Sequence, residues 1–139
     1  MKVTFFFNHT QEGEGCEIIY FAAVSLSQKN ENGENQYFTD ASMFIQSLDT
    51  TDSVLRVLKI LNFIKGESLL TTAIIDNNWD SVKAMVENEM ISFKRSFTEK
   101  YTDKIHVDIL LEILPKWHDY LLTVDKIDVE FELYLNPKL

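Results

Sequence analysis

A chain of 139 residues, 45% apolar and 25% charged, has the size and composition of one globular domain spanning residues 1–139, and excludes disordered, collagen-like and low-complexity classes. Its 22 acidic against 13 basic residues leave a net charge of -9, which argues against direct binding to nucleic acid or an anionic membrane, since both need a cationic surface. A cationic partner suits this charge better.

The predicted elements begin with a strand over residues 2–8, where Val3, Phe5 and Phe7 alternate with Lys2, Thr4 and Asn8. The apolar start of the chain stops at Asn8-His9-Thr10-Gln11-Glu12, too soon for a secretory signal. Gln11 to Gly15 supplies turn chemistry, and residues 16–26 are apolar on both faces, as in a central strand. The two strands are expected to form an antiparallel hairpin. Asn32-Gly33 favours a tight turn, and a third strand is expected near Tyr37 to Ile45.

Asp49-Thr50-Thr51-Asp52 offers capping oxygens, and Val54, Leu55, Val57, Leu58, Leu61 and Ile64 then recur at helical spacing up to Lys65-Gly66. Ser68 to Asp76 suits a short buried helix or a strand, and Asn77-Asn78 closes it. The stripe Trp79, Val82, Val86, Met90, Phe93, Phe97 and Tyr101 predicts a long amphipathic helix with Phe93 and Phe97 buried. A further helix is expected from His106 to about Thr123, kinked or split by Pro115. Ile127 to Leu135 alternates without a break and reads as the clearest strand, joining the N-terminal hairpin in one sheet. The fold class is α+β: an antiparallel sheet of the N-terminal hairpin plus the C-terminal strand, with three or four helices packed on one face.

Gly66-Glu67-Ser68-Leu69-Leu70-Thr71-Thr72-Ala73, followed by Asp80-Ser81-Val82-Lys83-Ala84-Met85-Val86-Glu87, resembles one ankyrin-type repeat in its glycine, hydroxyl, leucine and alanine positions. The resemblance covers about a sixth of the chain. Leu69 and Thr71 stand where the motif has proline and histidine, and no second copy occurs at the repeat period that stacking requires. It implies a helix-turn-helix over residues 68–89 and not membership of the family.

No motif privileges a catalytic residue. Walker-type, dinucleotide-binding and nucleophile-elbow signatures are missing from the sequence, as is zinc-ligand spacing of cysteines and histidines. His106 with Asp108, and Glu112 with His118, do not sit one helical turn apart, so structural or solvent-exposed roles are expected for the histidines. Cys16, the one cysteine, is flanked by Gly15 and Glu17 and is expected to be buried or inert. No cofactor or metal is implied, and the expectation is of a non-enzyme. With no window near the ~20 apolar residues of a membrane span, a soluble cytoplasmic location is expected.

Charge placement is the remaining signal. Residues 1–53 carry eight acids and two bases and residues 105–139 seven acids and three bases, whereas residues 54–104 have a net charge of +1. The acidic ends are those the sheet would join, giving it an acidic outer face. The expected function is therefore a small binding protein that inhibits a basic partner, in the manner of an immunity protein neutralising a toxin nuclease. The candidate partner-binding residues are Asp128, Glu130, Glu132 and Tyr134 on the last strand and Glu12, Glu14, Glu31 and Glu34 in the N-terminal loops. The alternative is a small-molecule or peptide-binding domain, or an enzyme, with a pocket between sheet and helices lined by Trp79, Trp117 and phenylalanines.

Overall fold

The computed structural model describes residues 1–66, 72–75 and 82–134. The N-terminal alternation becomes β1 (Lys2–Thr10), antiparallel to β2 (Ile19–Lys29), with Val3 opposite Leu26 and Phe5 opposite Val24. Both pairs point inward and are buried, so the period-2 pattern selects the covered face. A short β3 (Asn35–Tyr37) follows on the other side of β2. Gly33 takes a positive φ of 78° in the loop between them, and the Asn30 carboxamide accepts from the Asn32 and Glu34 N–H groups.

The third strand thus ends at Tyr37, and the residues expected to continue it form α1 (Thr39–Ser47). Ala41, Phe44 and Ile45 recur at helical spacing and bury one face completely, which overrides the strand preference of the individual residues. Helix α1 packs on β2 and also against the strands of a second sheet. The next helix forms where the capping residues predicted it: α2 (Thr51–Gly66) buries Val54, Val57 and Leu61, and Thr50 Oγ1 accepts from Ser53 N–H at 3.1 Å.

The long helix expected from Trp79 to Tyr101 is replaced by strands. Of the ambiguous segment, residues 72–75 form β4 (Thr72–Ile75), paired with β5 (Val82–Glu87), which turns back into β6 (Met90–Arg95) and then β7 (Asp103–His106). Val82, Ala84 and Val86 alternate inward with Ile91 and Phe93, so these apolar residues fit period 2 as well as the helical stripe. Asn88 and Glu89, with φ of 50° and 66°, make a two-residue primed turn without the glycine that normally announces one. The helix-turn-helix implied by the ankyrin-type resemblance is overturned by the same hairpin. Phe97 lies in the connection after β6 and is 77% exposed, while Phe93 is fully buried. Trp79, Leu69, Leu70, Asn77, Asn78 and Leu135 lie outside the described residues.

Helix α3 (Val107–Leu122) starts directly from β7, capped by His106, whose Nδ1 accepts from Asp108 N–H at 3.1 Å. It runs through Pro115 unbroken, because Leu110, Ile113, Leu114, Trp117 and Tyr120 hold its inner face in the core on both sides of the proline. β8 (Val129–Glu132) then pairs antiparallel with β1, as expected, though it is shorter than Ile127 to Leu135. Among the described residues the result is α+β with two antiparallel sheets, ordered β3-β2-β1-β8 and β4-β5-β6-β7, and three helices, where one sheet was expected. A continuous core joins both sheets and all helices. Its aromatic centre is Phe5, 5.2 Å from Trp117, 5.4 Å from Tyr120 and 5.3 Å from Phe131, contacts worth ~0.5–1.5 kcal/mol each beyond their burial.

Candidate partner-binding surface

The side of the first sheet turned away from the helices brings β8 and the N-terminal strands into common rows. Glu132 lies opposite Lys2, Lys2 opposite Ser27, and Ser27 opposite Tyr37. One row further along, Glu130 faces Thr4 and Thr4 faces Ser25. A recess of about 940 Å³ opens over this face, lined by Lys2, Thr4, Ser27, Tyr37 and Glu132 among others. The carboxylates of Glu130 and Glu132 therefore share the exposed face, as alternation on a strand requires.

They are not equivalent. Lys2 Nζ lies 3.2 Å from Glu130 Oε2 in an exposed ion pair, which is worth little energetically but halves the local charge. The Tyr134 hydroxyl donates to Glu132, whose carboxylate holds the Tyr134 phenol above its ordinary pKa. Asp128 sits just before β8, exposed, and its charge contributes to raising Tyr120, whose phenol is pushed up chiefly by burial. Lys2, Ser27 and Tyr37 escaped sequence reasoning. The alternation of Lys2 and Thr4 with Val3 and Phe5 marked their face, but only the β1–β8 register shows that it is the face of Glu130 and Glu132.

The other acids divide between the two ends of β2. Glu12 and Glu14 are exposed in the β1–β2 loop, while Glu31 and Glu34 are exposed in the β2–β3 loop. An 11-residue strand rising ~3.3 Å per step separates these loops by roughly 33 Å. Glu31 and Glu34 flank the end of the sheet that carries Lys2 and Glu132; Glu12 and Glu14 belong to the far end. Glu12 and Glu14 thus form a pair apart from Glu31, Glu34 and Glu132, while Asp128 precedes Val129, which pairs with Phe5 midway along β1. Cys16, expected to be buried or inert, is exposed in the far loop.

Two other concave regions lie away from this face. Between α3 and β8 a recess of about 350 Å³ is lined by Phe5, Val129 and Phe131 from the sheet and by Lys116, Asp119, Tyr120 and Thr123 from the helix. Lys116 Nζ stands 4.4 Å above the Phe131 ring. Trp117, expected to line such a pocket, is instead buried in the core and donates from Nε1 to the Leu48 carbonyl at 2.8 Å. The second region, of about 500 Å³, borders the start of α1 and contains Asp40, Arg95, Thr102 and Asp103. These groups satisfy one another: Arg95 Nε donates to Asp40 at 2.9 Å, Thr102 Oγ1 donates to Asp40, and Asp103 accepts from Ala41 N–H at 2.9 Å. Such mutual satisfaction makes a brace between α1 and the second sheet.

No family model matches this chain, and neither does any curated protein or solved structure. The surface must be read from its own chemistry. Its sign is local: the second sheet turns Lys83, Lys94 and Lys104 outward, with Lys83 directly opposite Lys94 and Lys94 Nζ 5.4 Å from the Tyr101 ring. The strands of the first sheet balance Lys2 and Lys29 against Glu130 and Glu132, with the acidic excess in the flanking loops at Glu12, Glu14, Glu31 and Glu34, whereas strands β5 to β7 carry Lys83, Lys94, Arg95 and Lys104 against Glu87 and Asp103. Among the described residues no group of three or more His, Cys, Asp or Glu side chains is placed to hold a metal ion, and no helix is long and apolar enough to cross a membrane.

Proposed function

We propose that this protein binds and inhibits a basic protein partner through the outer face of its first sheet. The observation that carries this reading is that Glu130 and Glu132 share one open, polar sheet face with the N-terminal strands, with Tyr134 bonded to Glu132 and with Glu31 and Glu34 in the loop at its end. A rigid sheet presents such carboxylates without the ordering cost that flexible loops incur, and an acidic field speeds the approach of a cationic surface. A nuclease is the basic partner this chemistry fits best, because its cleft is cationic for its own substrate, and successive outward side chains on β8 repeat every ~6.6–6.8 Å, close to the spacing of backbone phosphates. The protein would then be an immunity protein or another nuclease inhibitor, acting in the cytoplasm of the cell it protects.

The test is protection. Co-expression with a nuclease toxin encoded immediately upstream should rescue growth, and the Asp128→Asn, Glu130→Gln, Glu132→Gln triple variant should rescue poorly while melting at the wild-type temperature. Full rescue by that variant removes this face from the inhibitory site.

A further inference from the structure

Leu133 N–H donates to the Met1 carbonyl at 2.8 Å, and the Met1 amino group donates to the Leu133 carbonyl at 2.9 Å. In an antiparallel ladder, pairs that exchange both bonds recur at every second residue. Phe131 with Val3 and Val129 with Phe5 are therefore also bonded pairs, and the N–H and C=O groups of Glu130 and Glu132 point away from β1. β8 ends its sheet, so among the described residues no strand takes up that outward side.

The same edge borders the α3–β8 recess, whose walls of Phe5, Val129, Phe131 and Tyr120 are mainly apolar. Tyr120 is 4% exposed, and its hydroxyl has no hydrogen-bond partner among the described residues. Asp119 stands at the rim, with Asp128, Glu130 and Glu132 on the flanking strand. Lys116 also lines the recess, with Nζ 4.4 Å over the Phe131 ring. Period-2 geometry then dictates what fits: a strand laid along β8 sets alternate side chains beside the two glutamates and the intervening ones at the edge of the recess, beside Phe131 and the Lys116 stem.

We propose, building on the reading of the first sheet as a binding face, that β8 receives an extended segment of the basic partner as a fifth strand. Lysine or arginine side chains stand opposite Glu130 and Glu132, and an apolar side chain between them enters the recess. Strand addition of this kind draws affinity from main-chain bonds and specificity from alternate side-chain pockets. A second copy of this chain is a poor occupant, because pairing two β8 edges sets carboxylates against carboxylates.

The probe is a nonapeptide alternating lysine and isoleucine, compared with an isomer of the same composition in which the lysines form one block. The alternating peptide should slow amide exchange at Glu130 and Glu132, leave the already bonded Phe131 amide unchanged, and bind about tenfold more tightly than the isomer, a difference readily resolved by titration. Glu130→Pro removes an outward N–H without removing a bond to β1, so it should abolish the preference for alternation, whereas Glu130→Gln should weaken both peptides and keep it. If Glu130→Pro does not fold, the exchange pattern in the wild-type protein decides alone. Equal binding of the two isomers without new protection at Glu130 and Glu132 overturns strand addition and leaves the acidic face standing. Binding untouched by the Asp128→Asn, Glu130→Gln, Glu132→Gln variant, or no binding of either peptide, overturns both.

Discussion

Arg95 Nε and Asp40 Oδ1 meet at 2.9 Å, 55 residues apart in sequence, and fasten the first turn of α1 to the end of β6. Asp40 is the one buried acid among the described residues, and its other oxygen accepts from Thr102. Arg95 remains partly open to water, which tempers the strength of the pair. Asp40→Ala should still cost about 2 kcal/mol, since it strands a guanidinium and a hydroxyl that have organised around it. Asp103→Ala, which frees only the Ala41 N–H, should cost about 1 kcal/mol. Urea denaturation measures both, and equal losses would deny Asp40 its distinct role.

The two phenylalanines of the misread stripe separate cleanly. Phe93→Ala should cost ~3–5 kcal/mol, because its ring is fully enclosed and packs 5.4 Å from Phe44. Phe97→Ala should cost under ~1 kcal/mol, the range of exposed substitutions. Similar losses at both positions in chemical denaturation would favour the helical stripe over the hairpin.

Why that stripe deceived is a matter of two periodicities sharing the same residues. Val82, Val86 and Phe93 fit a helix stripe and also fall on the inward face of β5 and β6, and the turn that decides between them is made by Asn88-Glu89 without a glycine. The ends of the chain were more legible: Val3 and Phe5 alternate with polar residues, as do Val129 and Phe131, and their place in one sheet followed from the need of the last strand for a partner. Of the candidate site, the shared face of Glu130 and Glu132 could be read from period 2 alone. The separation of Glu12 and Glu14 from Glu31 and Glu34, the pairing of Lys2 with Glu130, and the edge position of β8 among the described strands depend on strand order and register, which local pattern does not encode.

Glu89 carries a left-handed backbone that costs a residue with a Cβ roughly 1 kcal/mol. Glu89→Gly should therefore stabilise the protein and raise the melting temperature by roughly 3 °C. The backbone carbonyl that accepts from Val107 N–H is retained, and the exposed side chain lies 3.6 Å from His106, a contact of little worth. A fall in melting temperature would show that the His106 contact outweighs the strain.

Tyr120 supplies a pH signature. Burial, aided by the Asp128 charge, raises its phenol above the ordinary value, so ionisation is easier in the unfolded chain than in the folded one. The associated stability is fully present below the ordinary phenol pKa of ~10 and is lost as pH rises through the higher folded value. Tyr120→Phe removes an unpartnered hydroxyl, so stability at neutral pH should be unchanged or slightly higher, and the alkaline decline should become shallower. Melting curves from pH 7 to 11 decide, and an unaltered decline would place the alkaline titration elsewhere.

The binding account rests most directly on association kinetics with a basic nuclease toxin encoded immediately upstream, measured for the wild-type protein and the Asp128→Asn, Glu130→Gln, Glu132→Gln variant at low and high salt. An acidic docking face predicts fast association that slows with salt for the wild type, a lower rate with a weaker salt dependence for the variant, and convergence of the two at high salt. Identical rates for both proteins at both salt concentrations would contradict it.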